Sequence, residues 1–389
     1  MTSTEHERTG VWLVGARGSV GTTTVVGALA LRSGLSDSTG LVSGLPEVAL
    51  AGLPDLRDLV FGGHDVDTGS LGKRAELLAA GGVIPLALLP LLEHELAEVD
   101  ARILVGLQPG GDESQADGIA RLQRDLERFR AEHHLARVVV IDVSSTEPPV
   151  RDPATVADLE TVELALAAEE SPLPTSSAYA LAAFRAGCAF VSFTPSPGPR
   201  PPALMQAAAR YAVPWAGSDG KTGETLVKTV LAPMFATRAL RVRSWASYNM
   251  LGGGDGRTLA DPEAAASKKD SKARGLESIL GHPVDGPMHI DYVPDAGDWK
   301  TAMDHVSFEG FLGVRMSMQF TWSGCDSALA APLILDLARL TARAHEAGRV
   351  GPVSELGFFF KDPAGSDEHR LSAQWDALLA MCAELGGAR

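Results

Sequence analysis

Lysine is scarce in this chain. Eight lysines stand against 26 arginines, and seven of the eight fall between Lys221 and Lys361. A chain that takes nearly all its positive charge from arginine marks the few positions that keep an ammonium. An ammonium can lose its proton near neutral pH when it is desolvated or crowded by another cation, whereas a guanidinium stays charged and planar. Lys221, Lys228, Lys268, Lys269, Lys272, Lys300 and Lys361 are therefore candidates for a base, an acid or a compact clamp on an oxyanion. The opposing reading is drift from Lys to Arg that left a random remnant. Clustering argues against it, as do the polar or Gly-rich settings GSDGKTGETLVK, ASKKDSKARG, DAGDWKTAMD and FFFKDP.

Cysteine is nearly missing as well. Cys188, Cys325 and Cys382 have no CxxC spacing, which excludes a disulfide framework or a zinc site and suits a reducing compartment. Net positive charge is absent: at −15 the chain is a poor partner for nucleic acid or an anionic membrane, so any anionic substrate has to be drawn in by a local cluster of cations. No apolar run reaches the ~20 residues of a membrane span. No basic stretch followed by an apolar one opens the sequence, and a cytoplasmic protein is expected. Internal repeats and low-complexity linkers are lacking too. With 389 residues, 45% of them hydrophobic, the chain exceeds one ordinary core, and two domains are expected.

What is present is an α/β pattern. VWLVGARGSVGTTTVVGALALRSGL reads as a buried strand at 11–14, a turn punctuated by Gly15, Gly18 and Gly21, and a helix over 22–31. Such glycines let the backbone approach a pyrophosphate, whose charge the first helical N–H groups hold. The spacing is GxxGxxG, so a plain strand-to-helix turn stays open on this segment alone. Residues 101–107 and 137–143 read as further buried strands around an amphipathic helix at 118–134, followed by a helix at 176–186 and a strand at 189–193. Strands alternating with helices imply a doubly wound parallel sheet. The Pro-rich segment 194–202 would cap its carboxyl edge, where such folds bind ligands.

From Arg241 the texture changes. RVRSWASYNM, HIDYVPD and VRMSMQFTW are strand-like runs, many alternating in polarity, which suggest a mixed or antiparallel sheet. A helix at 330–346 and a strand at FFFK are expected to return to the first domain. The expected fold is thus a Rossmann-type doubly wound parallel sheet over 1–243 plus 328–389, with a smaller α+β catalytic and oligomerisation domain over 244–327.

GSDGKTGETLVKTVLAP (217–233), SYNMLGGGDG (247–256), SKKDSK (267–272), DAGDWKTAMD (295–304) and CDSALAAPLILDL (325–337) closely resemble the myo-inositol-phosphate synthase family in content, order and spacing. FGGHDV (61–66) and FFFKDP (358–363) extend the resemblance over residues 11–363. It implies an NAD-dependent cyclising isomerase that acts on a sugar phosphate as a homotetramer. The reaction so implied oxidises the C5 hydroxyl with NAD, removes a C6 proton made acidic by the new ketone, closes the ring by aldol attack and returns the hydride. Such chemistry needs cations for a phosphate, a base, and donors for oxyanions in one closed pocket.

By the same resemblance Lys268, Lys272, Lys300 and Lys361 are the catalytic lysines, with Asp219, Asp255 and Asp326 as partners. Lys268 and Lys272 stand i, i+4, so a helix would put both on one face, where two ammoniums lower each other's pKa; the bland reading is a solvated lysine-rich face. Lys221, Thr222, Gly223 and Glu224 match the phosphate loop, and Asn249 and Leu251 join the substrate set with Lys268, Lys272 and Lys300. The implied NAD set is Gly15, Arg17, Gly18, Ser19, Val20 and Gly21 in the loop, then Asp65, Ser144, Asp219, Asp326 and Ser327. Asp65 and Asp67 offer no cationic pocket for a 2′-phosphate, so NAD is expected over NADP, with Arg17 the dissenting residue.

Departures from the family pattern fall at the ligand sites. Arg17 stands where Gly is usual, Gly253 and Gly254 replace paired asparagines, and His64 replaces the Trp of FGG-Trp-D. Glu224 stands where Gln is usual, an acid that repels phosphate unless a Lys or Arg neutralises it. The substrate is open between two sugars on ring chemistry. With C6 as nucleophile, the C1 aldehyde of glucose 6-phosphate gives a six-membered cyclitol, which is favoured, and the C2 ketone of fructose 6-phosphate a five-membered one. An NAD-dependent sugar-phosphate dehydrogenase with net turnover, or a nucleotide binder without catalysis, are the readings from other classes. His64, His289 and His305 are left out of the catalytic set, since a lone His is more often a satisfied structural residue. Asp298 and Asp304 have no third ligand in sight and make no metal site.

Overall fold

The computed structural model describes residues 7–108, 110–253 and 276–387; Gly254, Asp255, Lys268, Lys269 and Lys272 lie outside the described residues. The strands are β1 (Thr9–Val14), β2 (Leu59–Asp65), β3 (Ile103–Val105), β4 (Arg137–Asp142), β5 (Ala189–Ser192), β6 (Pro214–Gly217), β7 (Arg241–Leu251), β8 (Met288–Tyr292), β9 (Trp299–Glu309), β10 (Arg315–Cys325) and β11 (Gly351–Pro352).

Seven of them form a parallel sheet in the order β11-β6-β5-β4-β1-β2-β3. Both faces are covered by helices, which is why VWLV and VVVID are continuous apolar runs. Their alternate residues divide between two cores. Val11, Leu13, Val139 and Ile141 pack with Leu29 and Leu337 on one face, while Trp12, Val14, Val138 and Val140 pack with Leu122, Phe129 and Phe184 on the other. The strand order reverses between β1 and β4, and in an open parallel sheet the ligand crevice lies at that point, beyond the carboxyl ends.

The second sheet has the order β10-β9-β7-β8, with β7–β9 and β9–β10 antiparallel and β7–β8 parallel. One face buries Val242, Trp245 and Val306 against Phe235 of the helix Glu224–Thr237. The other carries Tyr248 and Met303, each about 40% exposed. β10 runs straight into the helix Asp326–Glu346, which packs on the first sheet beside the glycine-loop helix Ser19–Arg32.

Two local expectations change. FFFK is not a strand: Ser354–Phe359 is a 3-10 helix and Phe360 makes only an isolated bridge to Gly220. Three consecutive aromatics favour a strand, but here Phe359 and Phe360 fill the core and Phe358 lies against Trp375 of the helix Leu371–Gly387, so packing overrides propensity. The strand expected at 101–107 is confined to β3. No helix among the described residues is long and apolar enough to cross a membrane.

Candidate active site

A cavity of about 1300 Å³ opens beyond the carboxyl ends of β1, β2, β4 and β5 and is bounded on its far side by β7 and β9. Its lining is built in two ways. On the parallel-sheet wall, Gly15 has φ +82°, and a Cβ there would sit 2.8 Å from Ser144 Cα. At Gly21 a Cβ would sit 2.5 Å from the Ala16 carbonyl oxygen, so only glycine lets the helix Ser19–Arg32 close on its loop. That helix has no acidic residue in its first turn and no side-chain cap on its first N–H groups. Asp65 ends β2 and accepts the Arg17 amide (2.6 Å) and the Asp67 amide (2.8 Å), which fixes the loop against the neighbouring strand. The Arg17 guanidinium turns away to Asp100 (3.0 Å) and the Asp67 carbonyl (2.9 Å). After β4, Ser144 donates to Asp142 (2.6 Å); burial pushes the Asp142 carboxyl up to about 6.

The lysines lie just beyond the carboxyl end of β6 and on β9 of the second sheet. Asp219 holds the left-handed φ of +61°, rare for a residue with a side chain, and is pinned from both sides. Its amide donates to the Thr194 carbonyl (3.1 Å), and its own carbonyl accepts the Lys361 amide (2.8 Å). Lys361 Nζ then donates to Asp219 Oδ1 (2.8 Å). Lys300 of β9 pairs with Asp326 at the start of the helix Asp326–Glu346, and Thr222 Oγ1 donates to the same carboxylate oxygen (3.0 Å). A Cβ at Gly223 would lie 3.1 Å from Lys300 Cε, so glycine lets that lysine reach the start of the helix Glu224–Thr237. Glu224, one turn before Lys228, is buried and ion-paired with it. Lys228 also lies 3.4 Å from Asp304 and donates to Ser247 Oγ (2.7 Å). Burial raises the Asp304 carboxyl, Lys228 draws it back down, and Glu224 raises it again. The acid that would repel a phosphate is thus neutralised from within its own helix.

Four residues that line this cavity each carry a buried polar atom with no partner among the described residues: Arg74 Nε, Asp219 Oδ2, Thr225 Oγ1 and Asn249 Nδ2. Each such atom costs ~1–3 kcal/mol when left dry, so their presence in one lining marks a polar ligand site.

Over residues 9–382 the chain matches the family described as Myo-inositol-1-phosphate synthase, a family named for NAD binding. The chain belongs to that family. It is 32% identical over 399 residues to inositol-3-phosphate synthase 1 of Bacteroides thetaiotaomicron, covering 95% of this chain and 93% of the relative. It is likewise 32% identical to inositol-3-phosphate synthase 1 of Homo sapiens, covering 87% of this chain and 69% of that protein. The solved inositol-3-phosphate synthase of Caenorhabditis elegans shares the fold, with a TM-score of 0.84 at 22% identity over 98% of this chain and 86% of that one.

In this family member most of the residues expected at the site line one cavity. The glycine loop from Gly15 to Val20 lines it, save for Ala16, with Asp65, Ser144, Asp219 and Thr222 through Glu224. So do Asn249, Leu251, Lys300, Asp326, Ser327 and Lys361. Two residues are placed elsewhere. Gly21 serves inside its helix, and Lys221 turns its ammonium to Gln374 Oε1 (2.5 Å) under the Phe358 ring, where burial lowers its pKa to about 7. Lys268, Lys272 and Asp255 lie outside the described residues.

The histidines occupy structural or peripheral places. Trp12 Nε1 donates to His64 Nδ1 (2.9 Å), and His64 Nε2 meets Asp125 at 3.2 Å; burial lowers its pKa. His289 stacks on Tyr248, and His305 is exposed. Sequence reasoning missed Arg74, Thr225 and the Asp304 end of the Lys228 pair. Lys228 belonged to the scarce lysines, which was a signal. Arg74 carried none.

The site fits a dinucleotide on its own geometry. The glycine cradle would be filled by any Cβ, the helix start above it is uncapped, and Arg74 Nε beside it lacks a partner.

Proposed function

We propose that this family member converts a hexose 6-phosphate to a cyclitol phosphate by NAD-dependent intramolecular aldol cyclisation, with glucose 6-phosphate giving myo-inositol phosphate. The observation that carries the reading is one cavity lined both by the uncapped glycine-loop helix and by two lysine–carboxylate pairs, Lys300–Asp326 and Lys361–Asp219. NAD supplies the acceptor for the C5 hydride and gives it back.

The chain's own residues do the rest. Thr222, Gly223 and Thr225 at the helix start, with Lys300 against them, make an anion site for the sugar's phosphate. Asn249 Nδ2, buried and unpartnered, is a donor toward the substrate. Lys361, held by Asp219 through side chain and backbone, presents protons to the oxygen that gains charge when the C6 proton leaves and the new C–C bond forms. Lys268 and Lys272, which match the family's catalytic lysines in sequence, are proposed to supply the remaining lysine chemistry. The second sheet and its flanks (244–327) act as catalytic and oligomerisation domain, the remainder as the nucleotide domain of a cytoplasmic enzyme. Phe311 and Leu312, at 88% and 85% exposure on the hairpin tip between β9 and β10, support a homotetramer.

Incubation with each hexose 6-phosphate plus NAD, followed by product NMR, tests the reading. A six-membered cyclitol phosphate from glucose 6-phosphate is expected. A five-membered product from fructose 6-phosphate alone would replace the substrate, and net NADH accumulation would replace the reaction.

A further inference from the structure

The geometry points to Arg74 as a clamp on the cofactor's diphosphate, an inference that rests on the reading above that the glycine loop binds NAD. Arg74 lies in the helix Leu71–Ala80 and reaches across to the start of the glycine-loop helix, where its Nη2 donates to Ser19 Oγ (2.7 Å). Ser19 Oγ donates onward to Asp298 Oδ1 (2.8 Å), so one guanidinium edge is already aimed at the place where that helix begins.

Charge accounting singles the residue out. The basic residues lining the cavity among the described residues are Arg17, Arg74, Arg151, Lys300 and Lys361. Arg17 is paired with Asp100, Lys300 with Asp326 and Lys361 with Asp219. Arg151 is exposed to solvent. Arg74 is half-buried, has no carboxylate at ion-pair distance among the described residues, and keeps its Nε dry and unpartnered. The acids at this end, Asp65, Asp67 and Asp298, would repel a diphosphate brought to the loop by backbone donors alone. A planar guanidinium beside the helix start supplies the missing countercharge and can bind two phosphate oxygens at once.

Binding of NAD, NADP, ADP-ribose and adenosine to the intact protein tests this, by calorimetry for the first three and NMR titration for adenosine, in wild type, Arg74→Gln and Arg74→Lys. Wild type is expected to bind NAD. Arg74→Gln should weaken NAD and ADP-ribose by about 10- to 100-fold, as for a lost charge-assisted hydrogen bond, and leave adenosine unchanged. Arg74→Lys should recover only part of the loss, because a point charge cannot fork. Unchanged NAD binding by Arg74→Gln overturns the clamp and leaves the NAD reading standing, whereas failure of wild type to bind NAD overturns both. Weaker NADP with unchanged NAD would make Arg74 a 2′-phosphate ligand and overturn the assignment. Equal losses for adenosine and NAD with a lowered melting temperature would make it structural and overturn it too.

Discussion

On the parallel-sheet wall of the cavity, charges are consumed inside the protein: Asp65 by two backbone amides, Arg17 by Asp100 and a carbonyl. What that wall offers a ligand is shape and backbone donors, set by glycines at which a Cβ would collide. Elsewhere in the lining, on β9 of the second sheet and just beyond the carboxyl end of β6, the ammonium groups meet the cavity itself, each held by a carboxylate. The first arrangement suits a ligand that is held and left alone. The second suits one whose charge changes during reaction, because ammoniums held in place can donate hydrogen bonds to an oxygen as it gains charge.

The sharpest way to break the contrast is to unbalance the charges behind the lysines. Lys228→Met leaves Glu224 and Asp304 facing each other in a buried space and should cost about 3–5 kcal/mol of stability at neutral pH. The Asp304 carboxyl, already raised by burial, would then rise further in the folded state once Lys228 no longer draws it down. Such a group keeps its full contribution below the unfolded pKa and loses it as pH rises through the folded one. Melting curves of the variant should therefore recover toward acid pH, and a melting temperature as low at acid pH as at neutral pH would contradict the buried triad.

Next come the lysines that meet the cavity. Lys300→Arg or Lys361→Arg keeps charge but loses a compact, deprotonatable group, and turnover should fall ~10²-fold or more, or about 2.7 kcal/mol. NAD affinity should hold, and Lys73→Arg, on an exposed helix face, is the control. Steady-state kinetics within a few-fold of wild type for both would remove the lysines from catalysis. On the parallel-sheet wall, Gly15→Ala forces a side chain into a left-handed φ and into Ser144, at about 1–3 kcal/mol. Calorimetry should show weaker NAD binding with sugar-phosphate binding intact.

Smaller effects refine the picture. Glu224→Gln leaves Lys228 and Asp304 as a pair, so the melting temperature should stay near wild type, and KM for the sugar phosphate should change less than about two-fold because Lys228 already neutralises the acid. Asp142→Asn should stabilise slightly, and only at higher pH. The wild-type carboxyl, raised to about 6 by burial, contributes fully below its unfolded pKa and loses that contribution as pH rises through 6. A melting-temperature difference that does not grow across that window would contradict the assignment.

Most of the parallel-sheet wall was legible in the sequence, because a strand, three glycines and an uncapped helix are local features with fixed spacing. The lysines were legible for a different reason: scarcity and motif content named Lys300 and Lys361 before any geometry did. What stayed hidden depended on distant packing. Lys221 sits in a phosphate-loop motif, yet its side chain follows Gln374 of the helix Leu371–Gly387, 153 positions away, out of the cavity. Three phenylalanines read as a strand until Trp375 is placed against them. Arg74 is an ordinary residue of an amphipathic helix, and only its reach to Ser19 distinguishes it.

The turn between β8 and β9 touches the nucleotide side twice: Asp298 accepts from Ser19, and Trp299 Nε1 donates to the Gly81 carbonyl (3.2 Å). That strap bears on residence time. In the proposed reading a dinucleotide seated at the glycine loop would lie beside these two bonds, and their integrity would bear on how readily it leaves. For chemistry that restores its own oxidant within each cycle, slow exchange is no hindrance. Under the proposed reaction one bound molecule would then serve many successive sugars, and turnover would be insensitive to how much free cofactor surrounds the protein.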